Sequence, residues 1–258
     1  MRGVFANMPQ HFKLARATCH AAQPQSCQWW VRVSHFQFSH AAFCIVLSST
    51  VGSALGAQTA DAAYDRVAKA WEATKSLEAQ FEQKITNPLL GRTATSRGLF
   101  QQQRPGKVSI TFTDPVGDRI VGDGKSLWVY LPSSTPGQVL KLPANADGAI
   151  IADLLGELLE APRKSFTISG GDAATIEGRA THRVQLVPKS SGSAPFQRAT
   201  LWLDDKEPRP IRVQLVDAQG VDRTITLTTW TPGATLPRDA FKFAVPKGAK
   251  VVTKIPGT

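Results

Sequence analysis

The chain of 258 residues carries 30 Lys and Arg against 20 Asp and Glu, a formal net charge of +10, and 42 % of its residues are apolar. This composition excludes a disordered chain and provides enough apolar residues for a folded core. The three cysteines, at positions 19, 27 and 44, all precede residue 57, and His182 is the only histidine after it. The remainder of the chain therefore excludes a disulfide scaffold and a Cys- or His-cluster metal site.

Residues 1–57 have the layout of a secretory leader. They carry basic residues but no acidic one, and the run over residues 41–57 is short, apolar and ends in small residues. This order is typical of a signal peptide; the alternative is an anchor helix, which the Ser, Thr and Gly content disfavours. We expect residues 1–57 to be leader and signal peptide, with a true start later than Met1, and residues 58–258 to be one exported domain. Because no Cys follows the cleavage region, the mature protein is not expected to be a lipoprotein.

The segment after the leader has helical periodicity. Tyr64, Val67, Ala68 and Trp71 recur at the spacing of one helix face, which predicts an α-helix over residues 61–77.

The pattern then changes to an alternation of apolar and polar residues with a period of two, which places successive side chains on opposite faces of a strand. We count ten to twelve short strands. An antiparallel sheet of that size must curl to bury its apolar face.

One amphipathic segment interrupts the strands. Residues 147–160 carry Asp153, Glu157 and Glu160 on one helical face, Gly156 weakens the helix by roughly 1 kcal/mol relative to Ala, and Pro162 ends it. Its large apolar residues share the opposite face: Ile150, Ile151, Leu154, Leu155, Leu158 and Leu159. This helix either covers the mouth of the barrel or packs as ordinary core. The expected fold is mainly β with a helical lid: an unclosed antiparallel β-barrel of about 11 strands, covered by an N-terminal helix and this inserted helix.

Motifs that carry catalysis are absent from the sequence. No nucleophile elbow, phosphate loop or zinc-helix motif is present. The positive charge is spread out rather than clustered, which does not fit a nucleic-acid interface. We expect no catalytic residues, no metal, no cofactor and no enzymatic activity, so that an exported hydrolase is disfavoured.

Four segments, in order, resemble the LolA family of periplasmic lipoprotein carriers. SLEAQFEQK at 76–84 is similar to the family's SF-x-A-x-F-x-Q strand, and GLF at 98–100 with Arg104-Pro105 is similar to its G-x-L/F…RP segment. VGDGKSLWVY at 121–130 resembles the V-x-DG-K-x-LW-x-Y hairpin, and FKFAVPKG at 241–248 the F-x-F-x-x-P-x-G element. The chain departs from the family after Pro105, where GKVSI lacks the usual aromatic residues.

The resemblance implies an unclosed β-barrel with a helical lid and a role in binding. Such a periplasmic chaperone takes triacylated lipoproteins from an inner-membrane lipoprotein-releasing transporter, shields their acyl chains, and passes them to an outer-membrane lipoprotein receptor. We expect a monomer in the periplasm with no nucleic-acid partner. The alternative is a carrier with the same fold for another lipid, or a lipoprotein sensor or regulator.

The alternating strand residues supply the candidate wall of an acyl-chain cavity. A one-residue register error would turn a strand's set to the other face, and Trp128 with Tyr130 is the alternative inward pair of its strand. The candidates are Phe81, Leu99, Val108, Ile110, Phe112, Leu127, Trp128, Val129, Leu201, Leu203, Ile211, Val213, Ile225 and Leu227. Val108 is expected near the mouth, where Glu should block acyl binding and spare the fold.

Arg104 and Pro105 are the candidate gating residues. By resemblance, the arginine holds the lid backbone over the empty cavity. Its position at a strand end, with five donors that need acceptors, also fits contact with the carbonyls at the end of a short lid helix; a solvated strand-end arginine is the alternative.

Overall fold

The computed structural model describes residues 52–144, 153–160, 162–190 and 192–253. Most of the predicted leader, together with Ile150 and Ile151 of the predicted lid helix, lies outside the described residues.

The elements, in chain order, are α1 (Gly52–Ala73), β1 (Ser76–Asn87), β2 (Arg92–Gln103), β3 (Lys107–Asp114), β4 (Val116–Asp123), β5 (Ser126–Tyr130), β6 (Gln138–Pro143), α2 (Leu154–Leu159), α3 (Pro162–Ser165), β7 (Phe166–Ile176), β8 (Arg179–Pro188), β9 (Arg198–Asp204), β10 (Pro210–Val216), β11 (Asp222–Leu227), β12 (Thr231–Pro232) and β13 (Lys250–Val252).

Helix α1 buries the face that the periodicity indicated. Tyr64, Val67 and Trp71 are almost completely buried. The prediction that the helix runs to residue 77 was wrong. The Thr74 N–H donates to the Trp71 carbonyl at 3.0 Å, which tightens the last turn, and Leu77 already belongs to β1.

The thirteen strands form one sheet in the order β13-β6-β5-β4-β3-β2-β1-β11-β10-β9-β8-β7, and β12 pairs with β1 beside β11. The mainly β, unclosed architecture is confirmed. Two details differ from the expectation of about 11 antiparallel strands. Strands β12 and β13 have two and three residues, too short for a period-two pattern, and β13 pairs with β6 in the parallel direction.

The main core lies between the helices and one half of the sheet. Helix α1 packs on β7, β8 and β9, where Leu186, Leu201 and Leu203 are fully buried. The lid helix, α2, packs on α1, and the Tyr64 hydroxyl donates to the Leu158 carbonyl at 2.6 Å. A separate apolar cluster on the other half of the sheet contains Val108. The helices therefore cover only part of the sheet's apolar face.

Candidate functional site

An apolar cavity of about 200 Å³ is lined by residues of the sheet and of the lid helix. Strands β1–β4, β10 and β11 contribute to its wall, together with the loop before β9. The lining residues are Phe81, Gln83, Phe100, Ile110, Phe112, Ile120, Leu154, Leu155, Pro195, Phe196, Val213, Leu215, Asp217, Val221, Arg223, Ile225 and Leu227.

Strand register explains why part of the predicted wall comes together here. Leu227 lies opposite Phe81, and Ile225 lies opposite Val213, so that these side chains share one face of the sheet. Phe112 contacts Phe81 edge to face, with ring centroids 5.6 Å apart. Eight predicted residues line the cavity: Phe81, Ile110, Phe112, Val213, Ile225 and Leu227 from the wall set, and Leu154 and Leu155 from the lid set.

The placement of Leu99 in the wall was wrong by one residue. Phe81 is paired with Gly98 and Ala79 with Phe100, so that the even-numbered residues of this part of β2 face the cavity. A Cβ at position 98 would lie 2.5 Å from the Thr111 carbonyl oxygen and 2.9 Å from the Phe81 ring, which explains why glycine lies there. Phe100 lines the cavity instead, and Leu99 lies on the other face.

The alternative inward pair, Trp128 with Tyr130, was wrong, and with it the place of Trp128 in the wall. Trp128 lies opposite Val121 and Lys141, and its indole stacks on Phe243 with centroids 5.4 Å apart. The Lys141 Nζ lies 4.6 Å from the indole centroid, and the Tyr130 ring also contacts Phe243. The C-terminal segment thus covers these aromatic residues outside the cavity.

The other predicted wall residues are buried elsewhere. Leu201 and Leu203 belong to the core beneath α1, and Ile211 is buried beside the register shift between Pro210 and Arg212. Three more share the cavity face of the sheet but form the separate cluster with Leu140 and Leu142: Val108, Leu127 and Val129. The alternation identified apolar positions correctly, but it carries no information on which of them another element covers.

This placement changes the expected effect of Glu at Val108. The Val108 side chain is only 5 % exposed. It packs so closely on Gly122 of β4 that a Cβ at position 122 would lie 2.9 Å from Val108 Cγ1. We expect Val108→Glu to lower the free energy of unfolding by about 3 kcal/mol or more, because an unpaired charge is buried. Urea unfolding checks this, with Lys107→Glu at the exposed neighbour as control. An unchanged midpoint for Val108→Glu would contradict the assignment.

Polar residues interrupt the apolar wall at one end. Asp217 Oδ1 accepts the N–H groups of Gln219 and Val221, both at 2.9 Å, so that it belongs to the turn between β10 and β11. Arg223 donates from Nη1 to Gln83 Oε1 at 3.3 Å. Burial lowers the pKa of Arg223, which the charge of Asp217 partly opposes.

Sequence reasoning missed Arg223, although the signal was present. The alternation that turns Ile225 and Leu227 toward the cavity turns Arg223 the same way. The wall therefore contains a cation beside its apolar residues.

Arg104 contacts both helices from the end of β2. Its Nη1 donates to the Trp71 carbonyl at 2.6 Å and to the Thr74 carbonyl at 3.2 Å, and its Nη2 donates to the Glu160 carboxylate. Its Cζ lies 5.1 Å from the centroid of the Trp71 ring. The carbonyl acceptors thus lie at the C-terminal end of α1, not in the inserted helix, which Arg104 reaches through the Glu160 side chain.

A second residue of β2 holds the other end of the lid helix. Gln102 Nε2 donates to Asp153 Oδ1 at 2.6 Å, and Asp153, the N-cap of α2, accepts the Gly156 N–H at 3.1 Å. Glu160 is the C-cap of the same helix. Gln102 and Arg104 therefore fix both ends of the lid helix by side-chain contacts, and sequence reasoning found only one of them.

Within the described ranges, no three His, Cys, Asp or Glu residues cluster as metal ligands. No helix in those ranges has the length and hydropathy needed to cross a membrane.

Comparisons with known proteins identify the family of the chain. The sequence model of the family described as "Outer membrane lipoprotein carrier protein LolA" matches residues 72–244. The chain is 29 % identical to an outer-membrane lipoprotein carrier protein of Chromobacterium violaceum over 212 residues, 82 % of this chain and 97 % of that protein. It is 31 % identical to a protein of that name from Methylibium petroleiphilum, over 70 % of this chain and 84 % of the relative. The crystal structure of a LolA superfamily protein from Nitrosomonas europaea aligns with a TM-score of 0.38 at 13 % identity, covering 71 % of this chain and 97 % of that one. The chain belongs to the LolA family.

Proposed function

We propose that this protein is a periplasmic carrier that holds the acyl chains of lipoproteins in the cavity between the sheet and the lid helix. It receives them at the inner membrane from a releasing transporter and delivers them to a receptor at the outer membrane. Residues 58–258 form the exported carrier. The single observation that carries the proposal is a largely apolar cavity whose wall includes Leu154 and Leu155 of the lid helix.

The energetics of acyl chains explain why a carrier needs such a cavity. Exposure of each CH₂ group to water costs about 0.8 kcal/mol, so that two or three long chains represent tens of kcal/mol. A carrier must bury these chains and still release them. An apolar wall binds chains without demanding one sequence or shape, and a movable helix controls access.

The empty state needs its own apolar contacts. Leu155, Leu158 and Leu159 are buried against α1 and the sheet when the lid helix is closed. Displacement of the helix by cargo exposes these residues, which costs about 25 cal/mol for each Å² of apolar surface. The cargo must offset this cost, so that the affinity stays moderate and transfer to a receptor remains possible.

The proposed role is binding rather than catalysis. The residues that line the cavity are mostly aliphatic or aromatic, and its two charged members are Asp217 and Arg223. These two groups favour the second candidate, a carrier of another lipid, because a charged wall suits a lipid with a charged head group.

Identification of the bound cargo separates the two candidates. We expect protein purified from the periplasmic fraction to carry acylated proteins, detected by mass spectrometry after mild extraction. The Ile110→Glu variant, which places a charge in the cavity wall, is the matched control and should lose them. Recovery of free lipid alone would overturn lipoprotein carriage in favour of the alternative.

A further inference from the structure

The polar end of the cavity has an ordered arrangement along β11. Arg223, Ile225 and Leu227 share the cavity face of this strand, and the paired residues of β1 include Gln83 and Phe81. The wall therefore changes from polar to apolar along the strands. Arg223 is the second residue of β11 and lies next to the β10–β11 turn, so that the polar end is at a strand end.

Arg223 has unused hydrogen-bonding capacity. A guanidinium has five N–H donors and stays charged, and the contact described for Arg223 is the 3.3 Å bond to Gln83. Among the described residues, no carboxylate oxygen lies within 4 Å of its nitrogens, although other arginines of the chain form such pairs.

The neighbouring groups leave most of these donors unbonded. Asp217 is the other charged residue of the wall; its Oδ1 is bound to two backbone N–H groups of its own turn, and the carboxylate forms no ion pair with Arg223 within 4 Å. Gln83 is held from its other side, because its Nε2 donates to Ser96 Oγ at 3.1 Å. The remaining donors of Arg223 thus lie at a cavity that the protein lines mainly with apolar side chains.

We propose that Arg223 binds the anionic head group, a carboxylate or a phosphate, of a single-chain amphiphile whose acyl chain lies along Ile225 and Leu227 toward Phe81. A guanidinium matches both oxyanions through two parallel hydrogen bonds. The polar head then lies at the strand end and the chain lies against the apolar wall. This inference rests on the proposed function, since it needs the cavity to hold acyl chains.

Three fourteen-carbon ligands test the inference: myristate, myristyl phosphate and uncharged monomyristoylglycerol. Their binding is measured by displacement of the neutral probe N-phenyl-1-naphthylamine, below the micelle concentration. We expect the wild-type protein to bind at least one acidic ligand about tenfold more tightly than the neutral one, because hydrogen bonds to a charged group are stronger than those to a neutral one. The acidic ligand that binds more tightly relative to monomyristoylglycerol, myristate or myristyl phosphate, shows whether the site prefers a carboxylate or a phosphate head group.

Three variants assign the effect to one side chain. Arg223→Gln should lose the preference for the acidic ligands and keep the affinity for monomyristoylglycerol, and Arg223→Lys should keep part of the preference. Arg212→Gln is the matched control, because Arg212 donates to Thr226 and Glu177 and does not line the cavity. It should leave the preference unchanged. Thermal unfolding of each variant verifies that it folds.

The outcomes separate the two proposals. Equal binding of acidic and neutral ligands by the wild-type protein, or a preference that survives in folded Arg223→Gln, overturns the head-group assignment and leaves acyl-chain binding in place. Failure of all three ligands to bind overturns both. If Arg223→Gln does not fold, the wild-type protein and Arg223→Lys decide the question. The assignment of a bidentate site is overturned if the wild-type protein does not prefer the acidic ligands, or if Arg223→Lys leaves that preference unchanged.

Discussion

Replacement of Ile110 by Glu should abolish acyl-chain binding while the protein remains folded. Ile110 lines the cavity between Phe100 of β2 and Ile120 of β4. Its side chain is half-buried, so that a carboxylate there remains partly hydrated in the empty protein. Bound acyl chains would remove that water, and an unpaired buried charge costs several kcal/mol. We expect the affinity for a fluorescent fatty-acyl probe to fall by about a hundredfold or more.

A matched control lies on the same strand. Thr111 is exposed on the opposite face of β3, so that Thr111→Glu adds the same charge outside the cavity and should leave binding unchanged. Ile110→Trp provides a second test without a new charge, because the larger side chain fills the cavity. Normal capture of acylated lipoprotein by folded Ile110→Glu and Ile110→Trp would contradict the cavity assignment.

The strands were predictable from the sequence because their apolar residues alternate, but the cavity wall depends on information that alternation lacks. Phe100 rather than Leu99 faces the cavity because β2 pairs with β1 in a register that places Phe100 opposite Ala79, and this register depends on contacts between strands. Leu201, Leu203 and Val213 have the same pattern and belong to the same core, yet of the three only Val213 also lines the cavity. Tertiary packing decides these cases.

The contacts of the lid helix were predictable only in part. The need of the Arg104 guanidinium for acceptors followed from its chemistry, and helix-end carbonyls are indeed its partners. That these belong to α1 could not be derived, because α1 packs on β7, β8 and β9, and how close its C-terminal end comes to the end of β2 depends on how the sheet curls. Gln102 gave no signal, since a glutamine at a strand end is usually solvated. Here it is only 1 % exposed and pairs with Asp153, 51 residues away.

Arg104→Leu should leave cargo uptake largely intact and impair delivery to the receptor. Arg104 is bonded to carbonyls at the end of α1 and to Glu160, so that it connects the end of β2 with the C-terminal ends of both helices. We propose that these bonds stabilise this closed arrangement relative to the loaded one, which would favour release when a receptor competes. Their loss should lower the free energy of unfolding by about 2 kcal/mol, which a typical domain tolerates. It should also raise the affinity for acyl chains and slow transfer.

The measurement is the rate at which loaded carrier passes a labelled lipoprotein to receptor-containing vesicles. Arg97→Leu is the control, since Arg97 lies on the same strand, is exposed, and pairs with Glu82 on the surface. Arg104→Lys should be intermediate, because an ammonium lacks the planar fork that reaches two carbonyls and a carboxylate together.

Gln102→Leu removes the contact at the other end of the lid helix. It should also slow transfer, since the closed state again loses a hydrogen bond. A purely structural contact changes the unfolding midpoint and leaves the transfer rate unaffected. Delivery by Arg104→Leu at the wild-type rate would therefore show that these contacts stabilise the fold without controlling release.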